Sequence, residues 1–318
     1  TWGLRGISRE QALEAVEVEW LVCGPEHIEA ASARFTRGPV GVLGAERDRR
    51  LPDDVVDLEA MLDPGVDSPP DHIDANAGGL DDTAMLIFTS GTTGMPKPAK
   101  ITNRRWALAA LGTAAACQLS PRDTVYCALP LYHATGLLVS CGGALVGGAR
   151  LALAREFSAS EFWPEVRRYG ATVVPYVGEL CRYLVNAPER EGEDNHPVRL
   201  FVGNGMRPDV WHELLERFGP VRVLEFYSST EGNVVLANLT GEKVGSVGTP
   251  LPGTDLTALV RYDTRTDSPL RGDDGCVQRV DDGEPGLLIA RVAEDHPLAH
   301  FEGYLDPDQT ERKIVRDA

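Results

Sequence analysis

Basic residues are scarce in this chain: 31 Lys and Arg stand against 48 Asp and Glu in 318 residues, a formal net charge of −17. That balance leaves no general electrostatic footprint for DNA, RNA or an anionic membrane surface. No nucleic-acid partner is expected, and any polyanionic ligand must be held by a local site. Cysteine is sparse too. Cys23, Cys117, Cys127, Cys141, Cys181 and Cys276 lie far apart, with no C-x-x-C pair and no His at zinc-ligand spacing. This excludes a zinc module or disulfide scaffold and reads as reduced, mostly buried thiols of a cytosolic protein. The longest apolar run, Leu137 to Ala149, has 13 residues and is Gly-rich, short of the roughly 20 a spanning helix needs. It reads as a buried helix running into a strand. The opening Thr1-Trp2-Gly3-Leu4-Arg5 has no Met, no basic n-region and no apolar h-region, so it does not read as a secretory signal. Repeats and low-complexity tracts are lacking as well.

A composition of 42% hydrophobic and 25% charged residues belongs to a globular chain with one large core or two smaller ones. Ser8-Arg9-Glu10-Gln11 looks like a capping box opening a helix to about Glu17, and Trp20 to Gly24 reads as a buried strand ended by a turn. From Glu46 to Asp82 come 12 acidic residues, 3 arginines and 4 prolines, a solvated surface excursion with at most a short helix near Val55 to Leu62. Beyond it, strand-like runs (Met85 to Phe88, Thr124 to Leu129, Arg150 to Leu153, Ala171 to Val174, Leu200 to Val202, Val221 to Phe226) alternate with helical patterns. The helical stretches are Arg104 to Cys117, Ser160 to Tyr169, Gly178 to Asn186 and Pro208 to Phe218. Alternation of this kind predicts an α/β fold, with mostly parallel sheets flanked by helices. After Asn238, short runs at Leu256 to Tyr262, Cys276 to Val280 and Leu287 to Val292 are punctuated by Gly, Pro and Asp, as in a small antiparallel, barrel-like β module. The expected division is a partial first α/β subdomain with the phosphate loop at 1–123, a second α/β subdomain at 124–237 and a β-barrel-like subdomain, truncated, at 238–318. Asp306-Pro307-Asp308-Gln309 reads as an N-cap, Pro at the first helical position and Gln at the capping-box position. A helix starting so near the last residue, with no initiator Met, suggests a piece of a longer protein.

The most specific segment is Leu86-Ile87-Phe88-Thr89-Ser90-Gly91-Thr92-Thr93-Gly94-Met95-Pro96-Lys97. An apolar strand runs into six small or hydroxylated residues and then a lysine, so that amides and hydroxyls can wrap phosphate oxygens while the lysine adds a point charge. It is not a Walker A loop, because Met95-Pro96 precede the lysine and Pro98 follows it. A second contiguous segment, Tyr227-Ser228-Ser229-Thr230-Glu231-Gly232, sits at a strand end. Read alone, His133 in Pro130-Leu131-Tyr132-His133 is more commonly a hydrogen-bonded structural residue, and Gly203-Asn204-Gly205 a simple turn.

Together these segments resemble the adenylate-forming superfamily of acyl-CoA synthetases, nonribosomal peptide adenylation domains and luciferases. Thr89 to Lys97 is similar to its phosphate loop and Tyr227 to Glu231 to its tyrosine-x-x-threonine-glutamate motif. Pro130 to Gly136 is similar to its proline-leucine-aromatic-histidine element, and Gly245 to Gly253 to the turn that leads into the β module. The stretches Tyr176 to Leu184, Gly203 to Trp211, Glu225 to Asn233, Asp282 to Leu288 and Phe301 to Tyr304 resemble most closely the fatty acid transport protein and very-long-chain acyl-CoA synthetase branch. The resemblance implies that Thr89, Ser90, Gly91, Thr92, Thr93, Gly94 and Lys97 hold phosphates, and that Gly203, Asn204 and Gly205 face the adenine on which Tyr227 stacks. Ser228, Ser229 and Thr230 belong to the same nucleotide site, with Thr230 on the α-phosphate. Glu231 holds the magnesium ion, and His133 lies near the acyl pocket. It implies ATP and Mg²⁺, with coenzyme A as co-substrate, and a fatty acid converted first to an acyl-adenylate and then to acyl-CoA. Leu137 to Leu145 and the helix Gly178 to Val185 are candidates to line the acyl pocket.

Other readings stay open: a ligase for another carboxylate, such as an aryl or bile acid, and a non-catalytic fatty-acid binding or uptake protein of the same fold. The family's ribose-binding aspartate and its C-terminal lid domain lie beyond the last residue, so the fragment by itself is expected to bind ATP weakly and to make no acyl-CoA. Pro98 and Asn103-Arg104-Arg105 depart from the family pattern. The two arginines either attract coenzyme phosphates or stay solvated at a helix start. The expected location is cytoplasmic, with peripheral membrane association left to parts outside this chain, and the oligomeric state is open.

Overall fold

The computed structural model describes residues 7–45, 50–61, 78–90, 96–251, 256–293, 296 and 299–318, the side chains of 7–10 and 90 excepted. The chain divides into two compact units, one of residues 1–79 with 90–98, the other of residues 80–89 with 99–318.

In the first unit, helix α1 (Ile7–Glu14) precedes β1 (Leu21–Cys23), α2 (Ile28–Ser32), β2 (Val40–Val42), β3 (Val55–Asp57) and α3 (Leu58–Met61). The three strands pair in parallel, in sequence order, over a core of Ile28, Phe35, Val40, Val42 and Val55. The short helix expected from Val55 to Leu62 is therefore half strand. β-Branched Val55 and Val56 pair with Val40 and Gly41, as such side chains favour. Asp57 then caps α3, its carboxylate accepting from the amides of Glu59 at 3.0 Å and Ala60 at 3.2 Å.

Strands β4 (Thr83–Ser90) and β5 (Pro96–Thr102) form a two-stranded sheet, and α4 (Asn103–Ala116) follows at once. The Thr102 hydroxyl opens α4 by accepting from the Arg105 amide at 3.1 Å. The second unit is then built on a seven-stranded sheet. In chain order it uses β6 (Thr124–Cys127), β7 (Arg150–Leu153), β8 (Val173–Val177), β9 (Leu200–Asn204), β10 (Arg222–Ser228), β11 (Val235–Asn238) and β12 (Thr249–Pro250). Their spatial order is β12-β11-β10-β9-β8-β6-β7, with β7 through β10 parallel and β11 and β12 antiparallel.

Side-chain alternation along these strands feeds two cores. Tyr126, Val174, Tyr176, Phe201 and Val223 face α6 (Phe162–Tyr169), α7 (Gly178–Val185) and α8 (Pro208–Phe218). Val125, Val173, Leu200, Val202 and Leu224 face the opposite layer, with Cys117 and Ala144. Removing each large side chain such as Phe201 from water contributes about 1.5–3 kcal/mol. The Gly-rich run from Leu137 becomes a π-helical segment, Thr135–Gly142, running into α5 (Gly143–Gly147) and then β7. Its glycines let two helices approach: a Cβ on Gly142 would lie 3.0 Å from the Ala110 methyl, and one on Gly143 2.7 Å from Thr113. Beyond β12 the pairings are short and antiparallel, β13 (Thr257–Val260) with β16 (Leu287–Ala290) and β14 (Tyr262–Asp263) with β15 (Ser268–Pro269). Helix α9 (Pro307–Glu311) starts on the Asp306 cap as expected, but the Gln309 Oε1 finds no partner among the described residues, so the capping box is not closed. All six cysteines are free. Among the described residues no helix is long and apolar enough to cross a membrane.

Asp123, just before β6, ties the sheet to its flank. Its carboxylate accepts from Arg199 Nε at 2.9 Å, Thr172 Oγ1 at 2.8 Å, and the Ser120 amide and hydroxyl at 3.0 and 2.9 Å. Burial pushes this carboxyl up, but the bonds from Arg199, Thr172 and Ser120 outweigh it and hold it at about 2. A folded-state value below the ordinary one means stability that is present above pH 4 and is lost as pH falls through about 2. Asp123→Asn is expected to cost about 2 kcal/mol at pH 7. In urea unfolding across a pH series, the gap to wild type should close toward pH 2, and a gap independent of pH would refute the assignment.

Candidate functional site

The parallel strands end along one edge of the sheet, and the order β7-β6-β8-β9-β10 reverses direction between β6 and β8. In open α/β sheets, crevices for ligands form outside the strand carboxyl ends at such a switch point. The segments predicted to carry chemistry leave the sheet there: His133 after β6, Gly205 after β9, and Ser229 to Glu231 after β10.

A cavity of about 440 Å³ opens at this edge on the α4 side of the sheet. Leu138, Val139, Val202 and Leu224 make much of its wall, and Asn204, Ser229, Thr230, Asn233, Arg105 and Glu302 supply polar groups. A mostly apolar chamber with a few convergent polar groups is the usual form of a small-molecule site. One of the two expectations about its wall needs revision. Leu138 and Val139 line it, but α7 packs into the core on the other face of the sheet and does not. Helix α4 supplies Leu108, Gly112 and Thr113 instead. Which face a helix covers depends on the direction of its crossover, and amphipathic spacing does not encode that.

The loop after β10 is fixed at several points. Ser229 Oγ accepts from the Gly232 amide at 3.0 Å, and Asn233 Nδ2 donates to the carbonyls of Arg291 at 2.9 Å and Ala299 at 3.1 Å. Tyr227 is exposed at the strand end, and Ser228, Ser229 and Thr230 line the cavity. The Glu231 side chain is 13% exposed and lies 3.7 Å from Lys313 Nζ. The Tyr304 hydroxyl faces both Glu231 and Thr89, and burial first, then hydrogen bonding to Glu231 and its charge, push it up to about 12. Thr89, near the end of β4, and the Glu231 segment thus meet through a tyrosine. Sequence reasoning quoted Tyr304 but gave it no role. It is held by a bridge to Ala99 on β5, and its amide donates to Thr310 Oγ1 at 2.9 Å.

Gly203 and Asn204 end β9, and Gly205 turns with φ of 80°. Glu225, on β10, holds this turn: it accepts from the amides of Gly205 and, at 3.2 Å, Met206, and from the Tyr176 hydroxyl. Burial raises the Glu225 carboxyl despite these donors, and burial beside Glu225 raises the Tyr176 hydroxyl. Asn204 Oδ1 is buried with no donor among the described residues, an acceptor available to an exocyclic amine.

His133 sits at the rim, exposed, its ring tilted on Tyr132 with centroids 5.1 Å apart. Lys97 stands on β5 and, with Ser90, falls in the first compact unit, whereas Thr89 belongs to the second. Gly91, Thr92, Thr93 and Gly94 lie outside the described residues, as does the Ser90 side chain. Both arginines at the α4 start are engaged: Arg104 pairs with Asp81 at 2.8 Å on the surface, and Arg105, half-buried, pairs with Glu302 at 3.3 Å. Among the described residues no three or more His, Cys, Asp or Glu gather to cage a metal. Glu231 alone fits Mg²⁺, which usually takes one or two carboxylates and leaves its other positions to phosphates and water.

The sequence matches the family described as AMP-binding enzyme over residues 6–293. It is 43% identical over 282 residues to the medium/long-chain-fatty-acid–CoA ligase FadD6 of Mycobacterium tuberculosis, a match covering 88% of this chain and 46% of that protein. Long-chain fatty acid transport protein 1 of Homo sapiens is 39% identical over 292 residues, which cover 91% of this chain and 44% of the relative. The chain thus spans less than half the length of either relative. ATP-bound MatB from Rhodopseudomonas palustris superposes with a TM-score of 0.71 at 22% identity, covering 98% of this chain and 57% of MatB. At that identity the likeness establishes the fold alone.

The strand-end turns are tightly packed. A Cβ on Gly178 would stand 1.7 Å from the Gly205 carbonyl oxygen, a backbone atom. Gly178→Ala must therefore displace the β9 turn and is expected to cost about 1–3 kcal/mol in chemical denaturation. A stability equal to wild type would contradict this close approach.

Proposed function

The chain belongs to the AMP-binding enzyme family, and from that premise we propose that it is the nucleotide- and acyl-binding part of an ATP-dependent fatty-acid–CoA ligase. The observation that carries this reading is the cavity itself, about 440 Å³ with an apolar wall and its polar groups at the loop that bears Thr230 and Glu231. An alkyl chain suits the wall, and a carboxylate leaving the chamber reaches the nucleotide loop.

In the first step a fatty carboxylate oxygen attacks the α-phosphorus of ATP and pyrophosphate leaves. In the second, the thiol of coenzyme A displaces AMP from the acyl carbon and yields its proton. Catalysis of such a transfer rests on positioning and on neutralising phosphate charge. Thr230 contacts the α-phosphate, Tyr227 stacks on the adenine, and Asn204 accepts from its amine. Glu231 holds Mg²⁺, which when bound supplies charge neutralisation at the phosphate oxygens. His133 borders the acyl entrance. The parts of Lys97 and of residues 90–94 rest on the sequence motif alone. The likeness to a long-chain fatty acid transport protein favours, as a second reading, a fatty-acid uptake protein of this fold.

Pyrophosphate release by the full-length protein with octanoate, palmitate, a C24 acid, cholate and benzoate decides between these readings. A fatty acid is expected to be the best substrate. A clear preference for cholate or benzoate overturns the substrate class, and no adenylation with any of the five favours the uptake protein. Glu231→Ala and Lys97→Ala should each lower palmitate-dependent release by about 10²-fold or more.

Gly112 offers a finer probe, since it lines the cavity and a Cβ there would meet nothing within 4 Å. Gly112→Leu adds bulk at the chamber wall from a Cβ position with no close neighbour, and replaces a poor helix former. It should lower kcat/KM for the C24 acid relative to octanoate while keeping the melting temperature. An unchanged ratio would remove this chamber from the acyl path.

A further inference from the structure

Arg105 is the one lysine or arginine among the described residues lining the cavity. Its side chain is 15% exposed and that of its partner Glu302 5%. The guanidinium donates to Glu302 Oε2 at 3.3 Å and to the Ser229 carbonyl at 2.7 Å, and its Nε has no partner among the described residues. Glu302 also accepts from the Thr102 hydroxyl at 3.1 Å, and that hydroxyl caps the helix on which Arg105 sits. Burial lowers the Arg105 pKa, opposed by the charges of Glu302 and, through space, Glu231. Three stretches of chain, at the start of α4, after β10 and before α9, are joined by this one side chain.

A buried ion pair is a poor source of stability, because desolvation consumes most of the Coulombic gain and well-packed apolar residues often do as well. What the pair does provide here is direction. The Ser229 carbonyl and the Thr230 N–H share one planar trans peptide and point opposite ways. Fixing the carbonyl on Arg105 therefore fixes the aim of the Thr230 amide and the start of the Thr230–Glu231 loop.

We propose that Arg105, held in place by Glu302, is a positioning residue that orients the Thr230–Glu231 loop for magnesium-bound ATP. This rests on the reading of that loop as the nucleotide contact. The test uses the full-length protein without acyl substrate, with melting temperature and Mg·ATP affinity by titration calorimetry as readouts. Arg105→Met alone strands the Glu302 charge and should lower both. Arg105→Met/Glu302→Gln removes both charges and should recover the melting temperature while Mg·ATP binding stays about tenfold or more weaker. Arg105→Lys keeps the charge without the fork and should stay folded with weakened binding, so the test does not depend on the double variant folding. Wild-type affinity in either folded variant overturns the proposal. Glu231→Gln separates the two levels. If it weakens binding while the double variant does not, the positioning role alone fails, whereas normal binding in Glu231→Gln fails the nucleotide reading beneath it.

Discussion

Parallel strands must all run one way, so their carboxyl ends share an edge, and in this chain that edge collects the segments after β6, β9 and β10 that border the cavity. Five consecutive strands from β6 to β10 obey the constraint. Their ends and the loops that leave them carry His133, Asn204 to Met206 and Ser229 to Glu231. Because β7 lies on one side of β6 and β8 on the other, the loops part at the switch point and leave a crevice. Residues far apart in sequence become neighbours at the cavity because the sheet leaves them nowhere else to go. The antiparallel return of β11 along β10 then pins the acidic loop at both ends.

Apolar burial on the two sheet faces supplies most of the stability, but it tolerates small slips. Buried carboxylates remove that freedom. Asp123 joins the end of α4 to the starts of β8 and β9. Glu225 joins β10 to Tyr176 on β8 and to the turn after β9. Glu302 joins the start of α4, through Arg105, to the loop after β10. Each carboxylate is costly to bury and is compensated by several donors with definite geometry. The polar ties are thus placed where the site needs fixed backbone, and the apolar layers where only mass and shape matter.

Much of this was legible in one dimension. Strand runs such as Leu200 to Val202 and helices such as Pro208 to Phe218 stand out by periodicity and by Gly and Pro punctuation. The segments that resemble the family's phosphate-loop, histidine and acidic motifs stand out because each is contiguous. The reading of Val55 to Leu62 failed at its first turn, where β-branched residues found a parallel partner that local propensity does not contain. Helix α7 is by its apolar pattern a candidate for the acyl-pocket wall, yet its apolar face serves the opposite core. Arg105 looked like a solvated charge at a helix start because its partners, Glu302 and the Ser229 carbonyl, are 197 and 124 residues away.

The sequence by itself determined most of the elements, their order, the α/β class and the family that the motifs resemble. All of these are set by hydrogen bonding and side-chain spacing over a few residues. Only the tertiary structure decided which sheet face holds the cavity, which helix lines it, and that Tyr304 and Arg105 hold the acidic loop. Those outcomes depend on crossover direction and on buried contacts between distant segments, whose energies exist only once the chain has closed on itself.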